Sequence, residues 1–331
     1  MILVVTPAPV DSFTGNGVTA RRWAGILREL GHQVELRNDY EGGDFTALLA
    51  LHASKSAGSI RAFHADHPRA PIVIAMTGTD LYPDLAATGV DPGVLSLATR
   101  LVVLQPHGLT QLDPELARRT DVIMQSVPSI PPRPPRTDRF EVAFLAHLRP
   151  VKDPLRLAAA VRLLPADSRV HVLHVGAAHD RELAAAAAAE SARNPRYDWL
   201  GPVPRATALA TLAGSRLMAL TSLHEGGANV ISEALAARVP VIASAIPGSI
   251  GLLGDDYPGY FPAGDAAALA ALLSAAERDR DGLYRALRER CLALRPLVDP
   301  ARERRAFAEL LRGLGLAEGP ARPSGPTAPG D

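Results

Sequence analysis

Short apolar runs recur along the chain, and the stretches between them carry apolar positions every third or fourth residue. In the first half ILVVT (2–6), QVELR (33–37), ALLALH (47–52), PIVIAM (71–76), RLVVLQ (100–105) and DVIMQ (121–125) read as strands. Most are apolar throughout, as expected of strands covered on both faces in a parallel sheet. GVTARRWAGILRELG (17–31) has the helical period and closes on Gly31, a residue suited to a helix end. The alternation restarts with FEVAFLAH (140–147), RVHVLHVG (169–176), YDWLG (197–201), RLMALTS (216–222), VPVIAS (239–244) and a short YFPAG (260–264). Alanine-rich 180–193 reads as a surface or packing helix. DPARERRAFAELLRGLG (299–315) is a helix with Asp299 as its cap, Pro300 in its first turn and a closing glycine.

Between the two series lies VPSIPPRPPRTD (127–138), whose prolines suit neither a sheet interior nor a helix interior. The segment predicts a stiff extended linker. The expected organisation is α/β, with two Rossmann-like parallel-sheet domains facing each other across a cleft. One domain covers 1–130 and the other 131–298. A terminal helix within 299–316 packs back on the first, and 317–331 form a disordered tail. In such folds ligands sit beyond the carboxyl ends of the strands, here between the two units.

Composition narrows the function. The 331 residues include 35 basic and 35 acidic side chains, so net charge gives no argument for a nucleic-acid or membrane partner. The single cysteine, Cys291, excludes an internal disulfide and a multi-cysteine metal site. MILVVTP lacks a basic leader and reads as a first strand, not a signal peptide, so a cytoplasmic location is the expectation. His171 and His174 lie three apart in a strand and point to opposite faces, and no clustered His/Cys set occurs, so neither a metal nor a bound cofactor is expected.

Two glycine-bearing loops carry candidate chemistry. TGNGVTA (14–20) has the outline of a dinucleotide-binding loop, but Pro7 to Thr14 separate it from the strand, too far for that turn. Gly15, Asn16 and Gly17 instead offer close backbone approach and amide donors to some other anion. In SLHEGGANVISEALAARVPVIAS (222–244) a strand ends, a loop carries Glu225, Gly226 and Gly227, and a helix begins near Ala228 or Asn229. The helix start suits a diphosphate. Glu225 before the turn and Glu233 one helical turn beyond Asn229 can each accept a pair of sugar hydroxyls. Hydroxyls, diphosphate, hydroxyls describe a nucleotide sugar.

Glu225 and Glu233, seven residues between them and ALAARVPVIAS following, resemble the E-x7-E signature of retaining glycosyltransferases with two Rossmann-like domains (GT-B, family 4-like). The resemblance implies that Glu225 faces the donor sugar as a catalytic residue. It also implies that Glu233 holds the ribose, and that Gly226, Gly227, Ala228, Asn229 and Val230 follow the donor between them. AHLRPVKDP (146–154) is similar to the family segment whose basic pair grips the donor phosphates. The lysine falls on Lys152. His147 occupies the usual arginine position, and Arg149, two residues on, is a partner by charge.

A narrower likeness runs through TPAPVDSFTGNGVTARRWAGILRELGH, MTGTDLYPDL, LRPVKDP and HEGGANVISEALAARVPVIASAIPGSIGLLGDDYPGYF, nearly the whole chain up to residue 312. It resembles the selenosugar synthases of selenoneine biosynthesis. That likeness implies a UDP-sugar, expected to be UDP-N-acetylglucosamine, and selenophosphate as substrates. A carbon–selenium bond forms, and UDP and phosphate are released. The acceptor side would comprise Gly15, Asn16, Gly17, His52, Lys55, Thr77, Gly78, Thr79 and Asp80, on loops after three first-half strands. Thr77 stands where many relatives carry a histidine that contacts the donor sugar. This departure weighs against an ordinary sugar-acceptor mechanism and makes His52 the candidate for part of that catalytic role. Asp80 either orients a hydroxyl or caps the following turn. Arg21 and Arg22 are expected on the helix surface. The alternative is a conventional retaining hexosyltransferase with a sugar or small-molecule acceptor. A non-enzymatic binding module has no need of a second domain facing the reacting carbon.

Overall fold

The computed structural model describes residues 1–9 and 15–316. The expected tail, 317–331, and Thr14 of the first glycine loop lie outside the described residues. The first lobe is a parallel sheet of β1 (Ile2–Val5), β2 (Val34–Arg37), β3 (Ala47–Leu51), β4 (Ile72–Ala75), β5 (Arg100–Val103) and β6 (Thr120–Val122), in the order β2-β1-β3-β4-β5-β6. The second contains β7 (Phe140–Leu145), β8 (Val170–Val175), β9 (Tyr197–Trp199), β10 (Leu217–Leu220), β11 (Val241–Ser244) and β12 (Tyr260–Phe261). Their order is β12-β11-β10-β7-β8-β9. Every expected strand is present, each trimmed by a residue or more, because ladder pairing stops where the chain turns away.

Helices cover both faces of each sheet, which is why β1, β3, β4, β10 and β11 are buried along their whole length. In both sheets the order reverses at one point, between β1 and β3 in the first and between β7 and β10 in the second. Neighbouring strands there send their outgoing loops to opposite faces, which leaves a crevice. Both crevices receive candidate loops. The register Met218↔Ala143 sets β10 beside β7 and brings the loop bearing Glu225 to the one bearing Lys152.

Residues 123–139 carry no helix or strand. The helix Pro300–Gly313 lies against the first lobe, with Phe307, Leu310 and Leu311 in one core with Trp23 and Leu27. The Trp23 and Phe307 rings meet edge to face at 5.0 Å. Beside them Glu303, buried, accepts from Arg22 Nε at 3.0 Å, Trp23 Nε1 at 2.7 Å and Ser126 N at 2.9 Å. Arg22 is therefore not a surface residue of its helix, as the apolar pattern suggested; only 16% of its side chain is exposed. An unanswered buried carboxylate would be costly, so Glu303 needs this arginine. Conversely, Glu303→Ala removes the acceptor of Arg22 Nε, of the Trp23 indole N–H and of the Ser126 amide. The expected loss is about 3–5 kcal/mol, read as a lower urea midpoint with a native circular-dichroism spectrum before the transition.

Candidate active site

Lys152 and Glu225 are brought together from loops after β7 and β10. Lys152 Nζ donates to Glu225 Oε1, and Ser222 Oγ donates to the same oxygen at 2.7 Å. Both side chains are mostly covered, so the pair is less screened than a surface ion pair. Lys152 reaches the site through the short turn Pro150–Lys152, and Thr221 Oγ1 fixes that turn by donating to Lys152 O at 2.9 Å. Arg149 opens the same turn and is exposed. His147, in the arginine position of the family segment, accepts from Ala177 N at 3.1 Å and ties down the end of β8.

The helix Asn229–Ala237 starts directly after the glycine loop, with Ala228 at its cap and Val230 in its first turn. Glu233 lies on its buried side and pairs with Arg205 Nη2 at 2.8 Å. Burial pushes the Glu233 carboxyl above its ordinary range, opposed by the positive charges of Arg205 and Arg22. Opposite this helix stands the start of the other glycine helix, Gly15–Glu29. A side-chain carbon on Gly15 would lie 3.9 Å from Asn229 Nδ2. Two helix N-termini, each a positive dipole end, thus come together. Gly15 and Asn16 are at the mouth, while Gly17 is buried in the first turn.

Gly226 and Gly227 serve a contact that sequence alone did not suggest. A Cβ on Gly226 would meet Gly78 N at 2.3 Å, and one on Gly78 would meet Gly226 N at 2.5 Å. A Cβ on Gly227 would meet that of Leu104 at 2.5 Å. The lobes touch backbone to backbone beside Glu225, and only glycine permits that distance. Gly78→Ala forces this contact apart. Because a displacement of about 1 Å at a reacting centre costs roughly 10²-fold in rate, turnover at this site should fall by that order, and the urea midpoint should fall with it because the clash is with backbone. Parallel rate and unfolding measurements check this.

On the first lobe, the loops after β3 and β4 meet. Asp80 is fully buried and caps its own short helix, accepting from Thr77 N at 2.8 Å and Thr77 Oγ1 at 2.9 Å. Of the two roles open to Asp80 the structure thus gives it the cap, and it meets His52 rather than the cleft. His52 Nδ1 lies 2.7 Å from Asp80 Oδ1, and its Nε2 is 2.9 Å from Thr79 Oγ1. Burial pushes the Asp80 carboxyl up, but the hydrogen bond from His52 and the Thr77 and Ser54 amides outweigh it and hold it below the ordinary range. His52 is itself buried, whereas Thr79 and Lys55 are exposed. His171 and His174 are separated, as their spacing requires. His171 meets Asp198. His174 donates from Nε2 to Ala146 O at 2.9 Å and accepts from the Tyr197 hydroxyl, with burial depressing its pKa to about 4.

Two supporting residues carried no signal in spacing. Arg205, the partner of Glu233, opens an otherwise ordinary helix. Gln125, beside the proline-rich segment, bridges the lobes. Its amide nitrogen donates to Gly227 O at 3.0 Å and Asn229 Oδ1 at 2.9 Å, while its oxygen accepts from Thr19 Oγ1 and Arg22 Nη2. Both roles depend on residues distant in sequence, so no local pattern points to them.

Residues 129–291 match the family model for glycosyl transferases group 1. The chain superposes on HepE of Anabaena, solved in complex with UDP and glucose, with a TM-score of 0.71 and 16% identity. The match covers 94% of this chain and 99% of that one. Sucrose-phosphate synthase of Thermosynechococcus elongatus gives a TM-score of 0.72 at 16% identity, covering 95% and 98%. The UDP-forming α,α-trehalose-phosphate synthase of Burkholderia vietnamiensis gives 0.66 at 15%, covering 92% and 81%. The fold is GT-B. No curated protein matches the chain in sequence. Among the described residues of this GT-B chain, no helix is long and apolar enough to cross a membrane. Nor does any group of three or more His, Cys, Asp or Glu residues among them form a metal site.

Proposed function

We propose that the protein transfers the sugar of a UDP-sugar, and that its acceptor is selenophosphate. The donor half of this reading rests on one arrangement: Lys152 and Glu225 paired at the β7/β10 crevice, with Glu233 at the far end of a helix start. A UDP-sugar laid along it has its ribose hydroxyls at Glu233, its diphosphate at Lys152 and the helix amides, and its sugar hydroxyls at Glu225. Lys152 gives up its bond to Glu225 when a phosphate oxygen replaces it. As the bond from C1 to the diphosphate oxygen breaks, the electron pair moves onto UDP. Lys152, with Arg149 beside it, then faces the growing charge. That HepE was solved with UDP and glucose, and that the matched segment belongs to group 1 transferases, supports the same class of donor.

The selenium acceptor rests on the likeness to selenosugar synthases and on the chemistry of the first lobe. Lys55 and the start of the Gly15–Glu29 helix offer positive potential to a small anion. Selenium in selenophosphate is already a soft anion, so it attacks C1 without needing a base; a carbon–selenium bond forms as UDP leaves, and the phosphoryl group is lost afterwards. UDP-N-acetylglucosamine is the donor implied by that likeness. The test is purified protein with UDP-N-acetylglucosamine and either selenophosphate or a panel of sugar alcohols, following UDP by chromatography. UDP release with selenophosphate is expected; release with alcohols alone would leave a conventional hexosyltransferase.

A further inference from the structure

We propose that Asp80, His52 and Thr79 form a proton relay that opens on the cleft and serves the loss of the phosphoryl group, with the Thr79 hydroxyl as the atom that meets the attacking water. The inference rests on the selenophosphate reading above. That reading leaves the sugar-transfer step without a use for a base, yet the acceptor lobe contains a complete one.

The geometry fixes the direction of the relay. Asp80 Oδ1 takes a hydrogen bond from His52 Nδ1 at 2.7 Å, so the ring proton sits on Nδ1 and the Nε2 lone pair faces outward. Nε2 then accepts from the Thr79 hydroxyl at 2.9 Å, which leaves the oxygen lone pairs of Thr79 turned away from the ring. Asp80 is held by Ala53 N and Ser54 N, each at 3.2 Å, and by Thr77 N at 2.8 Å. It stays ionised and can stabilise an imidazolium. The ring is buried, whereas Thr79 is exposed next to Gly78, the residue that abuts Glu225 and Gly226. The relay therefore ends beside the donor-sugar carboxylate.

His52 also has a backbone φ of +71° at the end of β3, in the left-handed region. For a residue with a side chain such a backbone is strained and persists only where surroundings enforce it. The ring is thus set between Asp80 and Thr79 at a cost to the fold, as groups at reactive centres often are.

In the proposed step water attacks phosphorus of the sugar–Se–PO₃ intermediate. A P–O bond forms and the P–Se bond breaks, its electron pair leaving on selenium. One water proton passes to Thr79 Oγ1 as the Thr79 proton passes to His52 Nε2. The imidazolium then returns its proton to the departing selenolate or to solvent. The products are the 1-seleno sugar and inorganic phosphate, and nothing is oxidised or reduced. Thr79 is the catalytic contact, His52 the proton acceptor and Asp80 a positioning residue.

The test compares phosphate with UDP at early times in Thr79→Val, which keeps shape and removes the hydroxyl, and in His52→Asn, which tolerates the left-handed backbone. Phosphorus NMR with UDP-N-acetylglucosamine and selenophosphate follows both products and the intermediate, whose phosphorus signal shows coupling to selenium. Wild type should release phosphate and UDP in equal amounts. In each variant the phosphate-to-UDP ratio should drop by about 10², the usual contribution of a positioned base, with the intermediate accumulating. A ratio that stays equal in both variants overturns the relay, whether the two products stay high or fall together. Absence of UDP release by wild type with selenophosphate overturns the selenium reading instead. UDP calorimetry on each variant verifies that the donor site is intact.

Discussion

Lys152→Ala should lower kcat/KM for sugar transfer by about 10²–10³, the effect of removing one preorganised group from a developing charge. Lys152 is the cation nearest the Glu225 carboxylate, and its ammonium enters from the opposite side of the crevice. In the proposed reaction substrate binding exchanges one anion for another at Lys152: Glu225 before, a phosphate oxygen afterwards. Because charge on the diphosphate grows as the C1–O bond breaks, the contact strengthens in the transition state, so the loss should fall on kcat more than on KM. Lys152→Arg keeps the charge but not the compact point donor, and should recover part of the rate. Glu225 remains tethered by Ser222 in the alanine variant, so the loop should keep its form. Steady-state kinetics over donor concentration checks the split; a change confined to KM would contradict the leaving-group role.

The second large effect concerns Glu233. In the proposed donor pose its ionised carboxylate accepts ribose hydroxyls, and hydrogen bonds to a charged group contribute about 1.5–3 kcal/mol each. Glu233→Gln should therefore weaken UDP binding by about 10²-fold. Burial raises the carboxyl pKa, with Arg205 and Arg22 opposing. UDP affinity should accordingly decline on acidification through that raised value, at a pH where an ordinary glutamate is still ionised. Removing Arg205 deletes an opposing charge, so in Arg205→Ala the decline should begin at higher pH. The sign for folding is the reverse: a carboxyl with a raised folded-state pKa costs stability when ionised, and that cost is relieved as the pH falls. Acid should loosen the ligand at this position without loosening the fold. Calorimetric titration of UDP across pH, beside urea unfolding at the same pH values, separates the two.

The strands and their two parallel series were legible because apolar runs on a double-covered sheet need no partner to be recognised. The proline-rich segment was legible because proline excludes regular structure locally. Glu225, Glu233 and Lys152 stood out as motif positions within a strand–loop–helix frame. Other readings changed on folding. Arg22 appeared solvent-facing from its helical pattern, yet Glu303, far along the chain, draws it inward. Gly226 and Gly227 appeared to make room for a ligand, yet they also let the first lobe approach. Asp80 had two open roles, and the Thr77 amide and hydroxyl with the His52 ring decided between them.

By itself the amino-acid order determined the local alphabet of this protein: where strands and helices form, and which carboxylates, lysine and glycines lie at their ends. Those are consequences of short-range sterics, periodicity and capping. Tertiary structure alone decided which ends face each other: Lys152 with Glu225, Arg205 with Glu233, Gly78 with Gly226, and His52 between Asp80 and Thr79. The physical reason is that strand order within a sheet, and the seating of one lobe on another, depend on burial summed over the whole chain. No single stretch carries that sum.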